Sequence, residues 1–233
     1  MSKKQQEAAP QWSLKDDQGH RKYLTEAELE AFEDASQEHP RRDIRTFCLV
    51  MRYTGARISE GLELTPAQVD IGEKFITLRT MKQRQRRYVL DEETGQPKID
   101  LETGRKVVEH LPDLKSYRRL PVPDYVIEAL DLVHDLRKLQ KHRTKKNQPI
   151  WGFGRTTAWH YIKQVMASAG VEGPHATPKG LRHGFGVLAA SKTHHPRAVQ
   201  KWLGHKSLET TTIYMDVRDD EERELARRTW RQK

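Results

Sequence analysis

The sequence predicts an α+β domain that is mainly α-helical and carries a small antiparallel β-sheet. Apolar residues recur at helical spacing between residues 25 and 65 and again between residues 124 and 214. Between these regions, short segments alternate polar with β-branched residues, which is typical of strands. Thr, Pro and Gly residues stand at the segment ends, where they supply caps and turns.

The first helices follow an N-terminal stretch without apolar periodicity, and we expect residues 1–23 to form a flexible or extended arm. Thr25 predicts the first helix start, with Glu28 at the capping-box position. Residues 42–53 predict a second helix, since their apolar side chains recur at i, i+3, i+4 and i+7. Gly55 predicts its end, and "RISEGLEL" begins a shorter helix.

A hairpin-rich region follows these helices. The predicted strands are "FITLRT", "RRYVLD", "RKVVEHL" and "YRRLPVP". Two similar pentapeptides, "DEETG" at 91–95 and "DLETG" at 100–104, each end in a Thr-Gly pair that suits a tight turn. We therefore expect an insertion of extended hairpins at about residues 88–116.

The C-terminal part of the chain is predicted to be helical. "YVIEALDLVHDLRKL" predicts one helix, and "TTAWHYIKQVMASAG" predicts another that ends at its glycine. Thr177 and Pro178 mark a helix start, because the missing N–H of proline costs nothing at the first helical position. Pro196 opens the next helix and Gly204 ends it.

The composition points to a polyanionic partner. In 233 residues, 42 Lys and Arg outnumber 33 Asp and Glu, which gives a formal net charge of +9. This balance favours nucleic acid over a membrane surface as the partner. The sequence contains no apolar run of the about 18–20 residues that cross a bilayer, and no apolar core of a signal peptide. Its single cysteine, Cys48, fits a reducing compartment, and we expect the chain in the cytoplasm.

Two basic segments sharpen this expectation. They span residues 79–87 and 137–146, and neither contains an acidic residue. A dense cationic run is either a solvated face or a phosphate-binding surface, and two separate runs favour phosphate contact. The residues predicted to contact DNA are Arg79, Arg84, Arg86, Arg87, Lys141, Lys145 and Lys146.

Candidate catalytic residues occur in short stretches whose cationic side chains could bind one phosphate group. "TGARISEG" places Arg57 and Glu60 three residues apart, on one helical face. "TPKGLRHGF" places Lys179 and Arg182 three residues apart after a helix start, where backbone N–H groups favour an anion. Lys82 stands at the end of a predicted strand. Guanidinium forks bind the oxygens of one phosphate bidentately and keep their charge.

The stretch "LGHKSLETTTIY" contains His205 and, nine residues later, Tyr214. On one uninterrupted helix these residues would lie about 13.5 Å apart on opposite faces. A break at Gly204 and a new start at Ser207 allow them to converge. A tyrosine can attack a phosphodiester as nucleophile, and a lysine can protonate the leaving oxygen. The alternative is that His205 is a surface residue and Tyr214 a core aromatic.

No metal or nucleotide cofactor is expected. The sequence has no phosphate-binding GxxxxGK[ST] loop, no paired-cysteine zinc pattern and no clear carboxylate cluster for magnesium. Cationic side chains would then supply the electrostatic stabilisation of a phosphate.

The three stretches resemble the signature boxes of the tyrosine recombinase family, which includes phage integrases and the Xer and Cre recombinases. Their order matches, as do the 23 residues from Arg182 to His205 and the nine from His205 to Tyr214. The resemblance covers residues 24–217 and implies the fold of that family's catalytic domain. It also implies site-specific DNA cleavage and rejoining through a 3′-phosphotyrosine, without ATP or metal.

The resemblance assigns a role to each matching residue. Tyr214 would attack a DNA phosphate, and Lys82 would protonate the 5′-oxygen that leaves. Two arginines would clamp the phosphate, a histidine would hydrogen-bond it and a glutamate would orient the arginines; these residues are Arg57, Arg182, His205 and Glu60.

The sequence departs from the family pattern in three places. Lys179 stands where the second box usually has histidine, and because a lysine at neutral pH is a donor, we expect it to hold the phosphate rather than act as a base. The insertion at about 88–116 is extra, and we expect it to contact DNA or a partner. If Met1 is the true start, the helical clamp domain that usually precedes these boxes is missing, and we expect binding from one side of the DNA.

The resemblance also implies partners: double-stranded DNA, a homo-tetramer assembled on it, and an accessory protein. Residues 218–233 are predicted to form a C-terminal helix that docks on a neighbouring protomer. Two alternatives stay open. A type IB topoisomerase shares this fold and chemistry and tolerates lysine at the position of Lys179. A non-catalytic DNA-binding relative would keep the fold, although Tyr214 and both arginines speak against it.

Overall fold

The computed structural model describes residues 13–80, 86–91, 94–100, 102–110, 116–205 and 207–215. Its α-helices are α1 Glu26–Glu38, α2 Arg42–Thr54, α3 Ile58–Leu62, α4 Asp124–His134, α5 Leu136–Lys141, α6 Arg155–Ser168, α7 Pro178–Thr193, α8 Pro196–Leu203 and α9 Glu209–Thr212. Its strands are β1 Val69–Asp70, β2 Phe75–Thr80, β3 Arg86–Tyr88, β4 Val108–His110 and β5 Ser116–Pro121. The predicted α+β class, mainly helical with a small antiparallel sheet, is confirmed.

Local signals set the ends of the helices. Thr25 and Glu28 form the predicted capping box at the start of α1, which satisfies N–H groups that lack an intrahelical partner. Gly55 ends α2 with a φ of 54°, and Gly204 ends α8 with a φ of 68°; both conformations favour glycine. Pro178 occupies the first position of α7 behind the cap of Thr177.

The main hydrophobic core surrounds α2. This helix buries residues on almost every face and packs against α1, α4 and α7. Burial of its apolar side chains supplies the main driving force for bringing these helices together, at about 25 cal/mol per Å² of apolar surface. The packing places the C-terminal end of α2, and the loop that follows it, beside α7.

The strands β1, β2 and β5 form a three-stranded sheet in that order. β1 runs antiparallel to β2, with Val69 opposite Ile76. Along β5 the side chains alternate between exposed and buried positions, as expected for a strand with one covered face. This alternation turns Arg118 and Leu120 towards the interior.

A second compact unit comprises Arg79–Tyr117. Within it β3 and β4 pair antiparallel, with Tyr88 opposite Val108. Gly95 and Gly104 take φ values of 66° and 64° in the two turns. The aspartate that opens each turn accepts the backbone N–H of the threonine three residues later.

Two predicted elements differ in the structure. The segment predicted as one helix is two, α4 and α5, because Asp135 takes a left-handed conformation with a φ of 52° and donates its N–H to the carbonyl of Asp131. A short polar side chain tolerates this conformation better than most. Residues 13–23, predicted as part of a flexible or extended arm, fold back in a turn, and Leu14 is buried in the cluster that contains Tyr214.

Several predictions fall outside the described residues: Lys82, Arg84, residues 1–12 of the arm and the C-terminal helix at 218–233. Arg86 and Arg87 lie in β3, but their side chains are not described. Of the helices in the described ranges, none has the length and apolar character needed to cross a membrane.

Candidate active site

The buried carboxylate of Glu60 joins three arginines from distant parts of the chain. Its Oε1 accepts a hydrogen bond from Arg57 at 2.9 Å, and its Oε2 accepts one from Arg118 at 2.7 Å. A nitrogen of Arg182 lies 3.8 Å from the same Oε2. Burial raises the pKa of Glu60, but the hydrogen bond and charge of Arg118, with the charge of Arg182, lower it to about 2. Glu60 is therefore ionised at neutral pH and holds the arginine cluster together.

Backbone carbonyls fix the guanidinium of Arg182 in place. It donates to the carbonyl of Gly55 at 2.5 Å and to that of Leu203 at 2.7 Å, so it links the loop after α2 to the end of α8. Burial, together with the charge of Arg57, lowers the pKa of Arg182 to about 9, while Glu60 opposes this shift. Arg182 is still a cation at neutral pH.

Arg57 stands at the mouth of this cluster. It is the N-cap of α3, and 48% of its side chain is exposed, against 8% for Arg182. Gly55, two residues before Arg57, packs so closely on the ring of Phe185 of α7 that a Cβ at this glycine would clash with the ring. The first and second boxes thus pack directly on each other, and one guanidinium is open to a ligand while the other is held inside.

Sequence reasoning missed Arg118. Its side chain is almost fully buried and donates to Glu60 across 58 positions of the chain. A signal was present, because "YRRLP" alternates and places Arg118 on the same face as Leu120. A buried charge requires a partner, so an arginine at an inward strand position predicts a buried carboxylate nearby.

Tyr214 and His205 lie together, as their resemblance to the third box predicts. Their rings stack with centroids 5.8 Å apart and an angle of 14° between planes. Tyr214 is 2% exposed. Burial raises the pKa of its phenol to about 12, although the charges of Arg182 and Arg57 act in the opposite direction. Those two arginines are therefore close enough to stabilise a phenolate electrostatically.

His205 is a neutral imidazole in this environment. Burial, followed by the charges of Arg182 and Arg57, lowers its pKa to about 3. Its Nδ1 lies 3.0 Å from the hydroxyl of Thr211 on α9, which fixes the ring against Tyr214. The break after α8 that allows this contact is the one that Gly204 predicts.

His183 is a second residue that sequence reasoning missed. It follows Arg182 on α7, and its Nδ1 lies 2.8 Å from the hydroxyl of Tyr214. Burial, followed by the charges of Lys179 and Arg182, lowers its pKa to about 4. The only signal in the sequence was its place inside the quoted box "TPKGLRHGF", one residue after the arginine.

The other predicted site residues divide into three groups. Lys179 is exposed in the first turn of α7, close enough to His183 for its charge to act there. Lys141 ends α5, and the 3₁₀ turn that follows contains Lys145 and Lys146; the first two are exposed and the third half-buried. Arg79 lies near the end of β2, in the second compact unit.

The chain matches a known protein family. A sequence model of the phage integrase family matches residues 22–221. The tyrosine recombinase XerD of Corynebacterium glutamicum is 27% identical over 187 residues, which cover 79% of this chain and 52% of that protein. XerD of Neisseria meningitidis serogroup A is 29% identical over 189 residues, which cover 81% of this chain and 55% of that protein. The chain therefore spans about half the length of the curated relatives it matches.

Solved structures share the fold. The crystal structure of XerA recombinase matches 90% of this chain and 66% of that chain with a TM-score of 0.60 at 23% identity. The catalytic domain of bacteriophage HP1 integrase matches 89% of this chain and 94% of that chain with a TM-score of 0.55 at 18% identity. XerH recombinase bound to its difH substrate matches 91% of this chain and 59% of that chain with a TM-score of 0.58 at 18% identity.

Proposed function

The chain belongs to the phage integrase family, the family of the tyrosine recombinases, and from that premise we propose that it is a site-specific DNA recombinase of the integrase type. It cleaves and rejoins DNA through a 3′-phosphotyrosine, without ATP or metal. One observation carries this proposal: Arg57 and Arg182, 125 positions apart, meet at Glu60 beside Tyr214. The names of the relatives favour recombination over the topoisomerase alternative.

The arginines hold the scissile phosphate. Arg57, half exposed, binds the non-bridging oxygens first, and Arg182 completes the clamp from the side of the protein. Because Glu60 and two backbone carbonyls already fix these groups, little reorganisation is needed when charge develops on the phosphate. Loss of one such contact costs about 10²–10³ in rate.

Tyr214 is the nucleophile. Its phenolic oxygen forms a bond to phosphorus while the bond from phosphorus to the 5′-oxygen breaks, which leaves a 3′-phosphotyrosine and a 5′-hydroxyl. Lys82, which lies outside the described residues, protonates the leaving 5′-oxygen. Rejoining is the reverse attack by a 5′-hydroxyl, and the phosphotyrosine conserves the bond energy that this step needs.

The remaining site residues support the phosphate. Lys179, an exposed ammonium in the first turn of α7, donates to a phosphate oxygen rather than accepting a proton. His205, held by Thr211, hydrogen-bonds the phosphate. Glu60 orients the arginines and is not the acid or base of the reaction, because its pKa is lowered to about 2.

We propose double-stranded DNA as the partner and a tetramer on that DNA as the active assembly. The basic segment at 137–146 gives one phosphate-binding surface, because its predicted contacts Lys141 and Lys145 are exposed. Residues 79–87 and the insertion give a second one, and residues 218–233 dock on a neighbouring protomer. We also propose that the protein acts in the cytoplasm, associated with DNA.

Covalent trapping tests this function. The substrate is a pool of duplexes with a randomised centre and a nick close to each candidate phosphate, so that the short 5′-hydroxyl strand leaves and rejoining fails. We expect a protein–DNA adduct that survives denaturant, and Tyr214→Phe abolishes it. Tyr117→Phe is the matched control, since Tyr117 is an exposed tyrosine of β5 that lies outside the insertion. A wild-type protein that forms no adduct on any duplex of the pool contradicts the proposal.

The same material separates recombinase from topoisomerase. A recombinase acts on the duplexes recovered from the pool and leaves unrelated supercoiled plasmid intact. Relaxation of any supercoiled plasmid at a comparable rate contradicts site-specific recombination and favours the topoisomerase.

A further inference from the structure

The hydroxyl of Tyr214 already has a hydrogen-bond partner in the free protein. Nδ1 of His183 lies 2.8 Å from it, and the two rings are 5.8 Å apart at an angle of 41°. Attack on phosphorus requires the phenol to lose its proton, and a base must lie within about 2.6–3.2 Å to take it. His183 meets this distance before any DNA binds.

The surface of α7 is shaped to hold the phenol in this position. Gly186 lies three residues after His183 and Ala190 seven, so all three share one helical face. A Cβ at Gly186 would lie 2.7 Å from the ring of Tyr214, and His205 stacks on the ring as well. The ring is confined among these groups, and its hydroxyl is aimed at the imidazole.

Burial and the charges around His183 determine the protonation state of its ring. Burial comes first, and then the cations Lys179, Arg182 and Lys22, so the pKa of His183 is lowered to about 4 and the ring is neutral at neutral pH. A neutral imidazole has one nitrogen that accepts, whereas the ammonium of Lys179 has only donors. When the ring proton of His183 is on Nε2, Nδ1 is the nitrogen that accepts, and it lies 2.8 Å from the phenolic oxygen that would donate to it.

A bound phosphate changes this environment in the direction that proton transfer needs. Its negative charge offsets the cations that keep His183 neutral, which raises the affinity of the imidazole for a proton. At the same time, bond formation to phosphorus makes the phenolic oxygen far more acidic than it is in the free protein. Proton transfer becomes favourable only as the new bond forms, as general base catalysis requires.

We propose that His183 is the general base for Tyr214, an inference that rests on the proposed function. As the phenolic oxygen bonds to phosphorus and the bond to the 5′-oxygen breaks, the phenolic proton passes to Nδ1 of His183. The leaving oxygen receives a proton from the donor proposed above, Lys82. In rejoining, His183 returns its proton to the phenolic oxygen. This base occupies a helix position four residues after the lysine that replaces the usual histidine of the second box.

Asparagine at position 183 tests this role, because its side-chain oxygen sits close to where Nδ1 was and accepts a hydrogen bond without taking a proton. On the duplex recovered by trapping, we expect His183→Asn to form the covalent adduct about 10²-fold more slowly or worse. His194→Asn, at the exposed end of the same helix, is the matched control. A rate for His183→Asn within about threefold of wild type, well short of a base's contribution, overturns the proposal.

A more acidic phenol at position 214 tests whether His183 acts as a base or only packs against the ring. With 2,3,5-trifluorotyrosine at position 214, the phenol loses its proton far more readily than tyrosine does in the same buried site, so the loss caused by His183→Asn should shrink to a few-fold. A residue that only packs against the ring would give the same loss with either phenol. An undiminished loss in the fluorinated protein therefore contradicts the proposal.

The direction of the hydrogen bond is measurable without DNA. ¹⁵N NMR of the full chain should show His183 as the tautomer with the proton on Nε2 and an unprotonated, hydrogen-bonded Nδ1. A proton on Nδ1 of His183 would contradict its role as general base even if the adduct forms. The two experiments fail separately. If the wild-type protein forms no adduct while NMR shows an unprotonated Nδ1, the proposed function and the proton transfer are both contradicted, but the hydrogen bond from Tyr214 to His183 is confirmed.

Discussion

Oε2 of Glu60 accepts a hydrogen bond from Arg118 at 2.7 Å, and both side chains are buried. The bond joins α3 to β5 and adds a third cation to the pair that we propose as the phosphate clamp. Two arginines held side by side repel each other, and the carboxylate between them makes their approach possible. The clamp therefore depends on a residue that does not touch the substrate.

Glu60→Gln should be strongly destabilising. The amide keeps the shape of the carboxylate but removes the negative charge that pairs with Arg57, Arg118 and Arg182. Breaking a buried ion pair on one side costs about 3–5 kcal/mol. Urea denaturation measures this loss, with Glu30→Gln at an exposed position of α1 as the control. A loss below about 1 kcal/mol, typical of a surface pair, would show that Glu60 does not hold the cluster.

Gly186→Ala should displace the nucleophile. The new Cβ would lie 2.7 Å from the ring of Tyr214, so either the ring or α7 must move. We expect a loss of about 1–3 kcal/mol in stability, as overpacking typically causes, and a large loss of adduct formation. Gly152→Ala is the control, because nothing lies within 4 Å of its Cβ position.

A double-mutant cycle identifies the cause. In a Tyr214→Ala background the clash is gone, and Gly186→Ala should become neutral or stabilising, since alanine is favoured over glycine in a helix by up to about 1 kcal/mol. Equal destabilisation in both backgrounds would place the strain elsewhere than at Tyr214.

Stability should fall as the pH drops below about 6.5, the ordinary pKa of histidine. Burial and neighbouring arginines lower the pKa of His205 to about 3, so the unfolded chain binds a proton before the folded chain does. The stability that this neutral ring contributes is complete above pH 6.5 and is lost progressively towards pH 3. Urea midpoints between pH 7 and pH 5 measure the slope. His205→Asn should reduce this slope and leave the part due to His183, whose pKa is lowered to about 4, while His160→Asn, at an exposed position, should not change it.

The double substitution Lys141→Ala and Lys145→Ala should weaken DNA binding and reduce its dependence on salt concentration, because two phosphate contacts are lost. Each phosphate contact contributes about 0.9 to the slope of log K against log salt concentration, so loss of two lowers the slope by about 2. The charge-matched control is Arg42→Ala with Lys192→Ala, on exposed positions of α2 and α7. Equal loss in the control would mean that only net charge matters.

Much of the fold follows from local signals. Each of these signals spans only a few residues, and the structure confirms all of them: the capping box at Thr25, the helix ends at Gly55 and Gly204, and the alternation of β2. The break at Asp135 was not predictable in this way, because the apolar spacing of α4 continues across it into α5.

The site was predictable where a motif kept the residues close in sequence, as with Arg57 and Glu60. Arg118 and His183 were missed for a physical reason. Their partners lie 58 and 31 positions away, so their roles depend on packing that no local pattern records. A buried cation on a strand was the one usable signal for Arg118.

A crystal structure of Tyr214→Phe bound to the duplex recovered by trapping tests the central claim most directly. We predict that the guanidinium groups of Arg57 and Arg182 both hydrogen-bond the non-bridging oxygens of one phosphate, the one that faces the ring of residue 214. A complex in which that phosphate contacts only one of the two arginines, or neither, would contradict the account.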